Sequence, residues 1–190
     1  MTLLKIARMG HPVLLQTADV IVDPTSQKVG RLLEDMVVTM EDASGVGLAA
    51  PQVYQGKRVI IFKAPQERSN ELTNETDFAP LTAIINPEFD PVGEKIAVGW
   101  EGCLSIPGIT GAVPRHTHIV YRGYLPTGEQ VEREATNFHA RVVQHEIDHL
   151  DGILFPMRMK DLSLLSFNEE LRDFMEFSSG TARDDKDPSG

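Results

Sequence analysis

The stretch His145-Glu146-Ile147-Asp148-His149 decides how this chain is expected to fold and what chemistry it carries. On a helix, residues four positions apart lie on the same face, so the two imidazoles can bind one metal ion together. Glu146 would then lie close enough to act on a water molecule at that metal. Two histidines placed on a buried helix by accident would leave imidazoles and a carboxylate without partners, which is costly. The stretch therefore favours a metal site.

The helix that carries these residues is predicted to begin at Thr136 or Asn137, both acceptable N-caps, and to end before Gly152. Phe138 and Val142 share the side of the two histidines. Other apolar residues lie on a different side, namely Val143, Ile147 and Leu150. Because a helix with apolar residues on two sides has no face for solvent, it is expected to be buried in the middle of the domain.

Two further helices and several strands are indicated on either side of this one. Apolar residues at spacings of three and four predict an N-terminal helix within residues 23–44 and a C-terminal amphipathic segment over residues 162–177. Residues 63–80 are polar and lack periodicity, which predicts a long surface loop. The predicted strands span residues 58–62, 81–86 (stopping at Pro87), 96–98, 119–121 and 129–132, with a hairpin turn at 126–128.

The composition excludes several classes of protein. We expect residues 1–177 to form a single domain, and residues 178–190, which are small and charged, to form a disordered tail. The net charge is -10 with no Lys/Arg-rich block, so a specific nucleic-acid binder is not expected. No segment has the length of a signal peptide or membrane span. The single cysteine excludes an internal disulfide and suits a reducing compartment, so we expect a cytoplasmic protein.

A catalytic metal site needs a third protein ligand. No histidine follows His149, and the glutamates of the C-terminal segment fit a solvated face better than a metal site; they are Glu169, Glu170 and Glu176. Cys103, beside Trp100 in the segment Glu-Gly-Cys-Leu-Ser, is the better candidate because a thiolate binds zinc or ferrous iron strongly. Two alternatives stay open at this point: a buried small hydrophobe, and a catalytic thiol with a histidine partner.

A third cluster is Gly-Val-Gly-Leu-Ala-Ala-Pro-Gln at residues 45–52. It is not a phosphate loop, because no Gly-Lys-Ser/Thr follows and no strand precedes it. A helix stop followed by a turn is sufficient to explain Gly45 and Gly47. Gln52 is different, because an uncharged amide directed at a metal site could stabilise negative charge on a carbonyl oxygen.

Taken together, these segments resemble the peptide deformylase family. Its motifs are Gly-x-Gly-x-Ala-Ala-x-Gln, Glu-Gly-Cys-x-Ser and Gln-His-Glu-x-Asp-His, in that order, and here they stand at residues 45–52, 101–105 and 144–149. Additional similarity lies at residues 9–14, 113–115 and 150–152, so that the resemblance runs from about residue 6 to residue 159.

The resemblance implies an α+β fold, in which short antiparallel strands pack around a central metal-binding helix, with an N-terminal and a C-terminal helix in addition. It implies removal of the formyl group from the N-terminal formyl-methionine of nascent proteins, with release of formate. The expected ligands of one divalent metal ion are Cys103, His145 and His149. Fe²⁺ is the expected cellular metal, while Zn²⁺, Ni²⁺ or Co²⁺ can occupy such a site.

The resemblance also implies roles for the residues around the metal. Glu146 would take a proton from water and return it to the departing amine, while the Gln52 side chain and the Leu104 backbone N–H would stabilise the oxyanion. The peptide would lie beside the strand before Glu101. The expected substrate-binding residues are Gly45, Val46, Gly47, Trp100, Phe138, Arg141 and Val142. For Phe138 and Val142, core packing explains the position equally well. Arg115 and Asp148 are expected to form a buried ion pair.

Three features set this chain apart from the simplest family pattern. Residues 63–80 are longer than a minimal connection, and Arg141 replaces an aliphatic residue of some members. Residues 161–190 contain eight acidic and three basic side chains, a net charge of -5, so a transient ribosome contact is not expected to use this segment. The rival hypotheses are a metallopeptidase that cleaves internal bonds and a non-catalytic, metal-stabilised module that binds N-termini.

Overall fold

The structure, a computed structural model, describes residues 1–65 and 75–178, with the backbone alone at 75 and 176–178. Two antiparallel sheets and three helices form the described part. The helices are α1 (Gln27–Asp42), α2 (Asn137–Leu150) and α3 (Leu171–Ser178). The strands are β1 (Gly47–Ala49), β2 (Val59–Ala64), β3 (Ala79–Pro91), β4 (Ile96–Cys103), β5 (Ile106–His116), β6 (His118–Tyr124), β7 (Gln130–Thr136) and β8 (Leu165–Phe167). None of the described helices has the length and apolar character needed to cross a bilayer.

Helix α2 lies at the centre, as predicted. From His139 to Leu150, every residue except Arg141 is buried. Ala140, Val143 and Ile147 pack against the five-stranded sheet, whose strands lie in the order β1-β2-β3-β6-β7. The second sheet, in the order β4-β5-β8, lies on the side of the helix that carries the two histidines. The helix therefore presents its polar residues where the two sheets meet.

The N-terminal helix is confirmed with slightly narrower bounds. Helix α1 buries Val29, Leu33, Met36 and Met40, which recur at the predicted spacings, against β1 and β2. The hairpin turn at residues 126–128 is also confirmed, since β6 and β7 pair on either side of it. The Leu125 N–H donates to the Glu129 carbonyl across the turn.

One strand extends well beyond its predicted end, and another strand was not predicted. Strand β3 does not stop at Pro87 but continues to Pro91. The pairing with β6 shifts register between Ile85 and Glu88, so the proline stands in a bulge where its missing N–H breaks no regular pairing. Asn86 has a positive φ there, and its side chain exchanges two hydrogen bonds of 2.8 Å with the backbone of Ile21. Strand β5, eleven residues long, was not predicted at all.

The C-terminal segment is also not one helix. Residues 162–164 form a 3-10 turn and residues 165–167 form β8, so that α3 begins only at Leu171. Strand β8 pairs with Ile109–Gly111 of β5. The leucines of residues 162–177 do have helical spacing, but pairing of residues 165–167 with the free edge of β5 overrides that preference.

The predicted loop at residues 63–80 is wrong at both ends, which belong to β2 and β3. Residues 66–74 lie outside the described residues, as does the predicted tail beyond residue 178.

Asp77, which follows the undescribed residues, is buried and binds the start of α2. It accepts hydrogen bonds from Thr136 Oγ1 and Asn137 Nδ2. Thr136 is the N-cap, but its side chain makes no cap bond to the helix. The negative charge of Asp77 near the N-terminus of α2 also interacts favourably with the helix dipole.

His139 is a buried histidine whose burial makes the stability of the fold depend on pH. It is fully buried, its Nδ1 donates to the Thr76 carbonyl at 2.8 Å, and its ring packs against Tyr121 at 5.5 Å. Burial lowers the pKa of His139 to about 4, with the nearby charges of Arg133 and Asp77 acting in opposite directions. As pH falls below 6.5, the unfolded chain therefore binds a proton that the folded chain does not.

Between pH 7 and pH 5 this linkage is expected to remove about 2 kcal/mol from the free energy of unfolding, and the loss should level off below pH 4. Urea unfolding at both pH values, of the parent chain and of His139→Asn, measures it. The drop should be smaller in the variant by that amount. Equal drops in both proteins would contradict the assignment.

Candidate metal centre

Three side chains that can ligate a metal converge beside α2. Cys103 ends β4, His145 and His149 stand one turn apart on α2, and one ligand atom from each lies within 4.8 Å of the others. The Cys103 Sγ atom is 3.2 Å from His149 Nε2. The two imidazole rings are 5.0 Å apart and nearly perpendicular. The group of candidate ligands predicted from sequence is therefore brought together by the fold.

Glu101 fixes the orientation of one of these rings. His145 Nδ1 donates to Glu101 Oε2 at 2.9 Å, which leaves Nε2 to face the cysteine. Burial alone would raise the pKa of Glu101, but hydrogen bonds from His145 and Arg115 hold it well below its usual value. From the sequence, Glu101 was only part of a motif, with no role predicted for it.

A buried ion network braces the helix behind this site. Arg115 donates to Asp148 at 2.5 Å, which confirms the predicted pair, and also to Glu101 through two nitrogens. Arg158, which was not predicted, adds two further bonds to Asp148. Because desolvation offsets much of the attraction in such pairs, their main effect is to hold one arrangement of β4, β5 and α2.

Glu146 faces the candidate ligands from the same helix and is 4% exposed. Its Oε2 atom has no hydrogen-bond partner within the described part of the chain. Burial raises the pKa of Glu146 to about 7. A Cβ atom at Gly47 would overlap the carboxyl group of Glu146, so this glycine is needed for close approach and not merely as a helix stop.

Gln52 reaches Cys103 from the 3-10 turn that follows β1. Its Oε1 accepts from the Ala49 N–H at 2.8 Å, which directs Nε2 toward Cys103 Sγ at 3.5 Å and Ser105 Oγ at 3.1 Å. Leu104 follows Cys103 in the turn between β4 and β5, and its side chain would touch a Cβ atom at Gly45. Gly45, the first glycine of the cluster, is therefore also a position of close packing.

Two of the three candidate ligands, Cys103 and His145, line one cleft of about 500 Å³ together with Glu146 and Gln52, whereas His149 is not among its lining residues. The predicted substrate-binding residues line it without exception: Gly45, Val46, Gly47, Trp100, Phe138, Arg141 and Val142. Phe138 and Val142 also pack against the main core, so each of them lines the cleft and contributes to the core. Ile6, Arg8 and Asn168, which were not predicted, are among the other residues that line the cleft. They come from distant segments and share no local pattern.

Three side chains that could hold a metal ion, with a buried acid and an amide donor beside them, are typical of metal-dependent hydrolases. Residues 3–164 match the family described as polypeptide deformylase. Peptide deformylase 1 of Bordetella pertussis is 44% identical over 166 residues, which cover 87% of this chain and 93% of the relative. The chain belongs to the peptide deformylase family, whose members are hydrolytic metalloenzymes.

Solved structures agree with this assignment. The Met-Ala-Ser-bound class I type b peptide deformylase of Acinetobacter baumannii has a TM-score of 0.74 at 36% identity, and the match covers 83% of this chain and 99% of that one. The peptide deformylase of Ehrlichia chaffeensis has a TM-score of 0.78 at 28% identity, covering 97% and 99%. The expected α+β fold is thus confirmed.

Proposed function

We propose that this protein removes the formyl group from the N-terminal formyl-methionine of newly made peptides and releases formate. The observation that carries the proposal is the convergence of Cys103, His145 and His149 within 4.8 Å, with Glu146 and Gln52 directed at the same place. Family membership does not favour the internal-bond metallopeptidase or the non-catalytic binding module. The cytoplasm, where formylated nascent chains arise, is the proposed location.

The donor set fits a divalent metal ion. One thiolate and two imidazoles suit Fe²⁺, Zn²⁺, Ni²⁺ and Co²⁺, and the hydrogen bond from His145 Nδ1 to Glu101 is the outer contact that a ligating histidine normally makes. Three protein ligands leave one position open. We propose that the metal in the cell is Fe²⁺. With iron bound, a site that contains a thiolate ligand is sensitive to oxidation. When bound, the metal supplies Lewis acidity that makes water a nucleophile near neutral pH.

The protein's own groups would then handle protons and charge. Glu146 accepts the proton of the attacking water and delivers it to the amine nitrogen as the C–N bond to the formyl group breaks. Gln52 Nε2 and the Leu104 N–H donate to the formyl oxygen while it carries negative charge. The contact of Gln52 Oε1 with the Ala49 N–H sets the amide orientation before substrate arrives, so no reorganisation is needed.

The substrate's main chain is proposed to lie along β4. This strand is terminal in the three-stranded sheet, and its residues Trp100 and Gly102 line the cleft. An extended peptide can pair with such an edge whatever its side chains are. The methionine side chain would enter between Val46, Phe138 and Val142. Any ribosome contact is proposed to avoid the acidic C-terminal segment; loss of ribosome binding on its truncation would overturn that.

The function is tested with protein prepared without oxygen, incubated with formyl-Met-Ala-Ser and assayed for formate. One formate per new amino terminus is expected. Met-Ala-Ser and a blocked longer peptide without a formyl group serve as controls and should remain intact. Cleavage of internal bonds without formate release would defeat the proposal in favour of a peptidase.

Replacing Gln52 with alanine is expected to lower kcat about 100-fold, because one oxyanion donor is lost. The metal content should not change, since Gln52 is not among the candidate ligands. Formate release and elemental analysis on the same sample measure both. A change in KM alone would show that Gln52 binds substrate without acting on the transition state.

A further inference from the structure

Arg141 joins α2 to the second sheet through its guanidinium group. Nη1 donates to the carbonyls of Val113 at 2.8 Å and Gly99 at 3.3 Å, and Nη2 donates to that of Ala97 at 2.8 Å. The side chain is 14% exposed and lines the cleft. Its charge is therefore anchored on β4 and β5 and does not extend into solvent.

Gly99 supplies the place where this group rests. A Cβ atom at position 99 would lie 2.9 Å from both Cζ and Nη2 of Arg141, and 3.1 Å from Nε. These distances are too short for a real contact. The atoms that would have to move belong to the far end of a flexible side chain, so alanine here would displace the guanidinium and leave the strand intact.

The same guanidinium completes the environment of Glu101. Oε1 accepts from Arg115 Nε at 2.9 Å and from Arg141 Nη1 at 2.7 Å. Oε2 accepts from Arg115 Nη2 at 3.0 Å and from His145 Nδ1 at 2.9 Å. A carboxylate has about four acceptor positions, so all of them are filled and its rotation is constrained.

We propose that Arg141, resting on Gly99, is a positioning residue for the metal centre. Its contact with Glu101 fixes the carboxylate that orients the His145 ring. Arg115 alone holds Glu101 from one side, and Arg141 closes the side that faces the cleft. The proposal rests on the proposed function only in that a metal is bound. Losing an outer partner of a metal ligand typically weakens metal binding about 10–100-fold.

Gly99→Ala and Arg141→Met, singly and together, test this with Co²⁺. Chelator competition should give an affinity about 10-fold weaker for each single variant, with an altered visible spectrum because the ligand geometry changes. The double variant should be no weaker than Arg141→Met, since the alanine acts only by displacing the guanidinium. Arg141→Lys, which keeps one charged donor for Glu101, should recover part of the affinity.

Arg122→Met on β6 is the matched control, because Arg122 pairs with exposed carboxylates far from the cleft. It should leave Co²⁺ affinity and spectrum unchanged. Unchanged Co²⁺ binding in Gly99→Ala and Arg141→Met, or additive losses in the double variant, would overturn the proposal. Thermal unfolding of each variant identifies any that fail to fold, and Gly99→Ala then decides alone.

Failure of this proposal is distinguishable from failure of the proposed function. Co²⁺ affinity and spectra are read without substrate, whereas deformylation is read by formate release from the parent protein. Parent protein that binds Co²⁺ but releases no formate would defeat the function and leave the positioning role standing. Formate release with Co²⁺ binding that ignores Gly99 and Arg141 would do the reverse.

Discussion

Replacing Glu146 with glutamine is expected to lower kcat/KM by roughly 10²–10⁴-fold, because the amide cannot take the proton of the attacking water or return it to the amine. The size and shape of the side chain are retained, so the tight fit against Gly47 should survive. Metal content should stay equal to that of the parent protein, since Glu146 is not one of the three converging ligand atoms. Formate release and elemental analysis measure the two effects.

Glu94→Gln is a matched control for this substitution, because Glu94 is exposed in the turn before β4. It should leave formate release unchanged. A Glu146→Gln protein that keeps its metal and most of its activity would show that proton transfer uses another group. A non-catalytic binding module would likewise tolerate the change, so this variant also separates that rival from the hydrolase.

Replacing Cys103 with alanine is expected to remove both metal and activity. A ligand that binds the metal directly contributes more than an outer partner, so metal affinity should fall by more than about 100-fold. Formate release should fall with it and return only in proportion to any metal that can be forced to bind. Equilibrium dialysis against a chelator, followed by elemental analysis, gives the affinity.

The outcome also decides between the two alternatives that sequence left open for Cys103. A catalytic thiol predicts that the alanine variant keeps its metal but loses turnover. A buried small hydrophobe predicts that it keeps both and loses only stability. The 3.2 Å approach of Sγ to His149 Nε2 favours the ligand, and loss of metal is the result that neither alternative produces.

Local patterns predicted the elements that contain the site. The apolar spacing of α1 and α2 and the turn at residues 126–128 are confirmed, because such patterns depend on residues within one or two turns of one another. The family motifs also predicted contacts between distant segments, which periodicity alone cannot do. They indicated that Cys103 approaches α2 and that Arg115 pairs with Asp148, both of which the structure shows.

Two of the wrong predictions share a cause. Residues 165–167 have helical spacing but form a strand because β5 offers an edge, and β3 passes Pro87 because its partner strand shifts register there. Neither partner can be seen in the local sequence. Sheet pairing depends on which strand the tertiary fold places next to a segment, so the local secondary-structure propensity of that segment is easily overridden.

By itself, then, the sequence determined the central helix, the candidate ligands and the family, since each depends on spacing along one element or on ordered motifs. Only the tertiary structure decided what holds those ligands in place. Arg141 looked like part of a pocket wall, yet its guanidinium lies on Gly99 and binds Glu101, forty residues away in the chain. Contacts across such separations arise from how α2 packs against β4, and no local periodicity encodes that packing.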